Sequence, residues 1–236
     1  FTVKAANEMK ERIYSYFEKE IGSTLGLAEM YIGTIHGFCL DQLQNYVPEY
    51  KKYEIVTDVQ RKLLVKRRID QAFIRDIPYY KQSKKKGEYE LGASLQGYVL
   101  SDIGLVLDTI DFAINERVDI STLDTNLQEF YNEYIRLLNA RSMLDFAHVQ
   151  KAYYDQLNVN NALQEQVKSL KYITVDEYQD TNTIQEAIIL KMKEINPRLN
   201  VCVVGDDDQT LYEWRGSNLS VFKDFPLKFS SAKTIK

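Results

Sequence analysis

The stretch YITVDEYQDTN, Tyr172 to Asn182, ends a short, apolar, β-branched run on two adjacent carboxylates, Asp176 and Glu177. Removing unpaired charge from water is costly, so such a pair at the end of a core strand calls for a cation or a water-filled cleft. Mg2+ suits it. The ion takes one or two carboxylates and keeps water and phosphate oxygens for the rest of its shell. In this reading Asp176 holds the metal through water, and Glu177 orients and deprotonates an attacking water. The pair alone leaves a second reading open, an acidic loop that is simply solvated.

A second strand end repeats the arrangement. VCVVGDDDQTLYEWRGS runs from an apolar segment through Gly205 into Asp206, Asp207, Asp208 and Gln209. In open parallel sheets, ligands bind beyond the carboxyl ends of the strands. The Gln209 amide both donates and accepts and does not titrate, which suits it to sensing a γ-phosphate from the neighbouring strand end. Tyr212, Trp214 and Arg215 follow within a few residues. Aromatic rings stack on unpaired bases at about 1–3 kcal/mol each, and arginine meets phosphate. Taken alone, YEWRG is more often a core tryptophan beside a surface arginine.

These residues need a sheet beneath them, and the patterning supplies one. Residues Thr2 to Ile21 carry apolar positions at helical spacing up to the breakers Gly22 and Gly26. Ala28 to Thr34 is a strand candidate, with Thr34 placed to cap a helix that lasts until Pro48. Thr57 and Gln60 form a capping-box pattern ahead of an amphipathic helix. From there to about residue 160 the periodicity is helical, including a stripe of Leu123, Leu127, Phe130, Tyr134 and Leu138 and a helix over Asp145 to Leu157. The pattern then becomes strand, helix, strand: YITVD, TIQEAIILKMKEI and NVCVVG. The last is near-continuously apolar, as a strand buried on both faces requires. The fold class is therefore α/β, a parallel core interrupted by a helical insertion that begins near residue 58.

Composition adds few exclusions. The chain has 236 residues, is 44% hydrophobic and carries a net charge of −4, an ordinary globular profile without a strongly basic character. Local patches rather than totals govern DNA binding. Cys39 and Cys202 lie far apart in apolar runs and read as small core residues of a reducing compartment. No apolar run approaches the roughly 18 residues of a membrane span, and no signal peptide is visible, so the expected location is cytoplasmic. The chain opens on FTVKAANEMKER without an initiator methionine, which points to a piece of a longer protein.

Taken together, VDEYQDTN and VVGDDDQTLYEWRGS resemble motifs II and III of the Rep/UvrD-type superfamily 1 DNA helicases. FTVKAANEMKER resembles motif Ia, GTIHGFCLDQL the following DNA-contacting motif, and LDFAHVQKAYYDQL the segment returning from the family's helical insertion. The motif order matches, while 58–142 matches only in position and helical character. The resemblance implies a partial RecA-like, P-loop NTPase sheet, with the core at 1–57 and 143–236 and the insertion at 58–142. It makes Asp176 the magnesium-associated carboxylate, Glu177 the catalytic base and Gln209 the γ-phosphate contact. Tyr212 and Trp214 would stack on bases, with Arg215 on the strand. Thr2, Lys4, Thr34 and His36 fall in the single-strand-contacting motifs, although a lone His at such a junction is more often a structural hydrogen bonder. ATP and Mg2+ are the implied cofactors. Single-stranded DNA and single-strand/duplex junctions are the implied partners, with a second motor domain of the same chain and subunits of repair or recombination complexes.

Departures accompany the match. Val3 replaces an asparagine, Ile35 and Gly37 stand where many members have Phe and Ser, and Tyr178 replaces Phe. TIHGFC is closer to helicase subunits of recombination nuclease complexes. The family's G-x-x-x-x-G-K-[ST] loop is missing, and Gly87 to Ser94 imitates its glycine spacing but has Ala93 in place of the lysine. The chain is therefore expected to hold half a motor and to lack ATPase activity by itself. Lys84 to Lys86 read either as a solvated loop or as a phosphate contact to duplex DNA. Two further classes remain: a Mg2+-dependent nuclease using Asp176, Glu177 and Asp206 to Asp208, and a non-catalytic, motor-like DNA-binding scaffold.

Overall fold

The computed structural model describes residues 3–68, 95–206, 222, 224–229, 232, 233 and 235. The expectations that fall on Thr2, Gln209, Tyr212, Trp214 and Arg215, on Asp207 and Asp208, on Lys84 to Lys86 and on Gly87 to Ser94 lie outside them. Helix α1 (Val3–Tyr16) continues into a π-helical turn, Phe17–Ile21, and ends on Gly22 with φ 70°. Glycine holds that left-handed conformation without the penalty a Cβ would bring.

The strand expected at Ala28 to Thr34 does not form. Leu27–Glu29 is one 3-10 turn, and the chain then runs irregularly to Thr34. Tyr31 explains this locally. Its hydroxyl folds forward to donate to Thr34 O at 3.2 Å. A Cβ at Gly33 would lie 2.5 Å from that hydroxyl. The segment closes on itself instead of offering an edge to a partner. Thr34 then caps α2 (Ile35–Tyr46) as expected, its Oγ1 accepting from Gly37 N at 3.1 Å.

A short strand β1 (Glu54–Ile55) leads to the expected capping box. Gln60 Oε1 accepts from Thr57 N at 2.8 Å, and Thr57 Oγ1 accepts from Gln60 N at 3.3 Å. Helices α3 (Asp58–Arg68), α4 (Leu95–Asn115) and α5 (Thr125–Asn139) follow. Leu127, Phe130, Tyr134 and Leu138 are buried, which is the stripe read from the sequence, with Leu123 packed against its margin. The chain returns through β2 (Met143–Leu144), which pairs parallel with β1. Helix α6 (Phe146–Val159) then hands over to α7 (Asn161–Ser169) at Asn160, whose side chain accepts from Leu163 N at 3.1 Å. Helix α7 was not expected; it buries only Leu163 and Val167, too few positions to show a period.

The central unit is β3 (Tyr172–Val175), α8 (Thr183–Ile195) and β4 (Asn200–Val203). The strands pair parallel with Tyr172 opposite Asn200 and Val175 opposite Val203, and α8 is the helix that a parallel connection requires. An Asn182–Gln185 capping box starts it. The expected two-sided burial of NVCVVG is not found: both strands alternate exposed and half-buried residues, and Cys202 is exposed. Ile173, Val175, Val201 and Val203 pack on the apolar clusters of the helices, and Tyr172, Thr174, Asn200 and Cys202 turn away. The run is apolar, yet only alternate residues meet the core. Among the described residues the protein is mostly helical with two short parallel sheets, an α/β arrangement. No helix among them is long and apolar enough to cross a membrane.

Among the described residues, two large apolar clusters carry most of the packing. One joins α3, α4 and α5 and includes Val56, Ala147 and Ile184. The other joins α2, α6, α7 and α8 and includes the buried Cys39. A polar knot ties them together. Asp145 is 1% exposed and takes Tyr134 Oη at 2.6 Å, His148 Nδ1 at 2.7 Å and His148 N at 2.8 Å. Arg61 lies 3.7 Å from Asp145 and grips Asp111 through two nitrogens at 2.7 and 2.8 Å.

Candidate active site at the ends of the central strands

The in-register pairing of β3 with β4 brings both strand ends to one edge. The ladder continues past the strands: Val204 N donates to Val175 O at 2.8 Å, and Tyr178 N donates to Val204 O at 2.9 Å. Asp176 and Glu177 are therefore fixed beside Gly205 and Asp206. Asp176 is half-buried and Glu177 exposed, so the pair borders solvent.

The turn that presents them is conformationally demanding. Glu177 adopts φ 52°, ψ 43°, the left-handed region, and is one of only a few non-glycine residues with positive φ among those described. For a side chain of this kind the conformation costs about 1–3 kcal/mol and persists only where neighbours fix it. Asp176 Oδ1 accepts from Glu177 N at 3.0 Å, and Glu177 O accepts from Asp180 N at 2.9 Å. A 3-10 turn, Tyr178–Asp180, follows, with Tyr178 buried in a cluster with Ile189 and Phe225.

Gln179 is the site residue that sequence reasoning did not assign. It is 2% exposed. Its Nε2 donates to Glu177 Oε2 at 2.7 Å, and its Oε1 accepts from Asp206 N at 3.1 Å. One amide thus joins the end of β3 to the end of β4. Gly205 leaves room for it, since a Cβ there would stand 2.5 Å from Gln179 Oε1. The sequence signal was a single neutral amide among acids, at a position where a solvated loop has no use for one. Burial, with Glu177 nearby, raises the Asp180 carboxyl above its ordinary value.

The donor set is all hard oxygen. Among the described residues no group of three or more His, Cys, Asp or Glu is placed to hold a metal. A cation at Asp176 would complete its shell from water and from a bound phosphate, which is how Mg2+ is held in phosphoryl-transfer sites.

The remaining expected residues lie elsewhere. Lys4 is exposed on α1. Thr34 is committed to capping α2. His36, at the start of α2, packs edge-on against Phe146 with ring centroids 5.3 Å apart. Burial lowers its pKa to about 4, so it is neutral at physiological pH and offers no cation to a phosphate. In an NMR titration of the chain's two histidines, the His36 imidazole is expected to stay unprotonated until pH falls to about 4. A midpoint near the ordinary value of 6.5 would contradict its half-buried packing against Phe146. The sign is that of a histidine with a depressed folded pKa. The unfolded chain takes up the proton first, so the His36 contribution to stability declines as pH falls from 6.5 toward 4.

Comparison with known proteins fits this geometry. Residues 1–230 match the family model described as the UvrD/REP helicase N-terminal domain. Among curated proteins, the chain is 28% identical to a probable DNA helicase II homolog of Mycoplasma capricolum over its whole length, which covers 31% of that relative. It is 29% identical to the putative ATP-dependent DNA helicase YjcD of Bacillus subtilis and 26% identical to the ATP-dependent DNA helicase PcrA of the same organism. In both, the whole chain aligns to 29% of the relative. The chain thus spans about a third of the length of the curated relatives it matches.

Proposed function

Since the chain belongs to the UvrD/Rep helicase family, we propose that the full-length protein is an ATP-dependent DNA helicase or translocase, with β3 and β4 forming part of a RecA-like nucleotide-binding sheet. The observation that carries the reading is the parallel register that sets Asp176 and Glu177 beside Asp206. A phosphoryl-transfer site needs a metal carboxylate and a water-activating group at one sheet edge. Asp176 would hold Mg2+, which when bound neutralises charge on the β- and γ-phosphates. Glu177 would accept a proton from the attacking water. Gln209, six residues after Val203 in the sequence, would contact the γ-phosphate. The coupled work is movement on single-stranded DNA and opening of duplex at a junction, in repair, replication or recombination in the cytoplasm. The segment 58–142 would form the helical insertion. Tyr212, Trp214, Arg215, Thr2, Lys4 and Thr34 would line the strand. For His36 the half-buried, neutral ring supports a packing role better than a phosphate contact.

The test is DNA-stimulated phosphate release by the full-length protein, together with displacement of a labelled strand from a tailed duplex. Absence of both would overturn the proposal. Mg2+-dependent DNA cleavage without nucleotide would favour the nuclease reading, which draws nothing from relatives named as helicases. Residues 1–236 alone are expected to show no DNA-stimulated ATPase above background, because the sequence holds no Gly-Lys-Thr or Gly-Lys-Ser phosphate loop. A phosphate-release assay of the purified chain checks this, and measurable turnover would contradict it.

A further inference from the structure

We infer that Gln179 is a positioning residue for Glu177: its buried amide holds the carboxylate against the backbone at the end of β4 and thereby sets the direction in which Glu177 can take a proton. The inference rests on the reading of Glu177 as the base and adds a residue to it.

The geometry allows one arrangement of the amide. Glu177 offers an acceptor and Asp206 N offers a donor. Reversing the amide would oppose oxygen to carboxylate and NH2 to N–H, so the assignment of Nε2 and Oε1 follows from the partners. The bond to Glu177 is short at 2.7 Å, the bond from Asp206 N measures 3.1 Å, and Gln179 itself is buried. The exposed Glu177 side chain would otherwise sample several rotamers. Gln179 selects among them, and Gly205 removes the one Cβ that would displace its oxygen. The bond to Glu177 crosses only one intervening residue, whereas the bond to Asp206 reaches across the sheet. The end of β4 is therefore linked to the carboxylate of the base through this side chain, alongside the backbone bond from Tyr178 N to Val204 O. A base misplaced by about 1 Å costs about 10²-fold in rate.

Three variants of the full-length protein test this. Glu177→Gln first tests the underlying reading; if it retains full DNA-stimulated turnover, the base assignment fails, whatever Gln179 does. Gln179→Met removes both hydrogen bonds at similar volume. It is expected to lower kcat about tenfold or more while changing the KM for ATP less than about twofold, since it disturbs proton transfer and leaves nucleotide contacts in place. Gln179→Glu keeps an oxygen acceptor for Asp206 N but removes the NH2 donor to Glu177. It is likewise expected to lower kcat about tenfold or more, counted per nucleotide-binding site, with the KM for ATP little changed. A residue that merely supported the fold would lower the amount of active protein and leave kcat per binding site in place. If Glu177→Gln is inactive while Gln179→Glu keeps the wild-type kcat per binding site, the inference is overturned. If Gln179→Met does not fold, the kcat of Gln179→Glu decides alone.

Discussion

Glu177→Gln in the full-length protein is expected to reduce DNA-stimulated kcat by about 10²- to 10⁴-fold, the usual contribution of a positioned general base. Nucleotide and DNA binding are expected to persist. The two side chains have the same shape, and Gln tolerates the left-handed backbone at φ 52° no worse than Glu. A Gln at this position still presents an oxygen to Gln179 Nε2, now 2.7 Å from the carboxylate. What it cannot do is accept a proton from water. Single-turnover phosphate release together with fluorescent nucleotide binding separates these effects. A variant that loses binding and turnover in parallel would point to a structural role, and one that keeps turnover would remove Glu177 from the chemistry.

The second large effect is on stability. Asp145→Ala is expected to cost about 3–5 kcal/mol, the range for removing one partner of a buried charged group. Asp145 caps α6, orders His148 and Tyr134, and faces Arg61, which has a side-chain exposure of only 8%. Without it, the Tyr134 hydroxyl and His148 Nδ1 lose their partner in a buried setting. The acid limb of stability should change as well. Burial by itself would raise the Asp145 carboxyl, but the His148 ring, its hydrogen bonds and the Tyr134 hydroxyl together hold it well below the usual carboxylate range. A depressed folded pKa stabilises above the unfolded value, near 3.8, and that stability is lost as pH falls below it. Urea unfolding of the wild type should therefore weaken below about pH 4, while Asp145→Ala, already weaker at pH 7, should show a flatter acid limb. Equal midpoints for the two proteins at pH 7 would contradict the placement of Asp145.

Much of this was legible in the chain. The caps at Thr34 and Thr57, the stripe on α5 and the β3–α8–β4 unit all follow from local rules, and local rules act over a few residues. Asp176 and Glu177 were legible for the same reason, since a strand end followed by acids is a local pattern. What was not legible depends on contacts across the fold. The apolar run of β4 gave no sign that only alternate residues would reach the core. Ala28 to Thr34 had the composition of a strand but found its partner in its own Tyr31. Gln179 was hidden because its meaning lies in Asp206, far along the chain, and in the absence of a Cβ at Gly205. The knot at Asp145 was hidden likewise: the sequence shows an aspartate at the start of a helix, and only the fold makes it a cap and brings Arg61 and Tyr134 to it.

The small β1–β2 pair has a wider meaning. Glu54 N donates to Ser142 O at 3.0 Å and Val56 N to Leu144 O at 2.8 Å, so the chain leaves and re-enters through one doorway. Whatever lies between the two jambs is closed at its base, and closing a long excursion is only slightly more costly than closing a short one. Length can therefore be added or removed at the far end of that excursion while the thresholds stay where they are, provided Arg61 and Tyr134 still reach Asp145 and the helices still rest on Ile184.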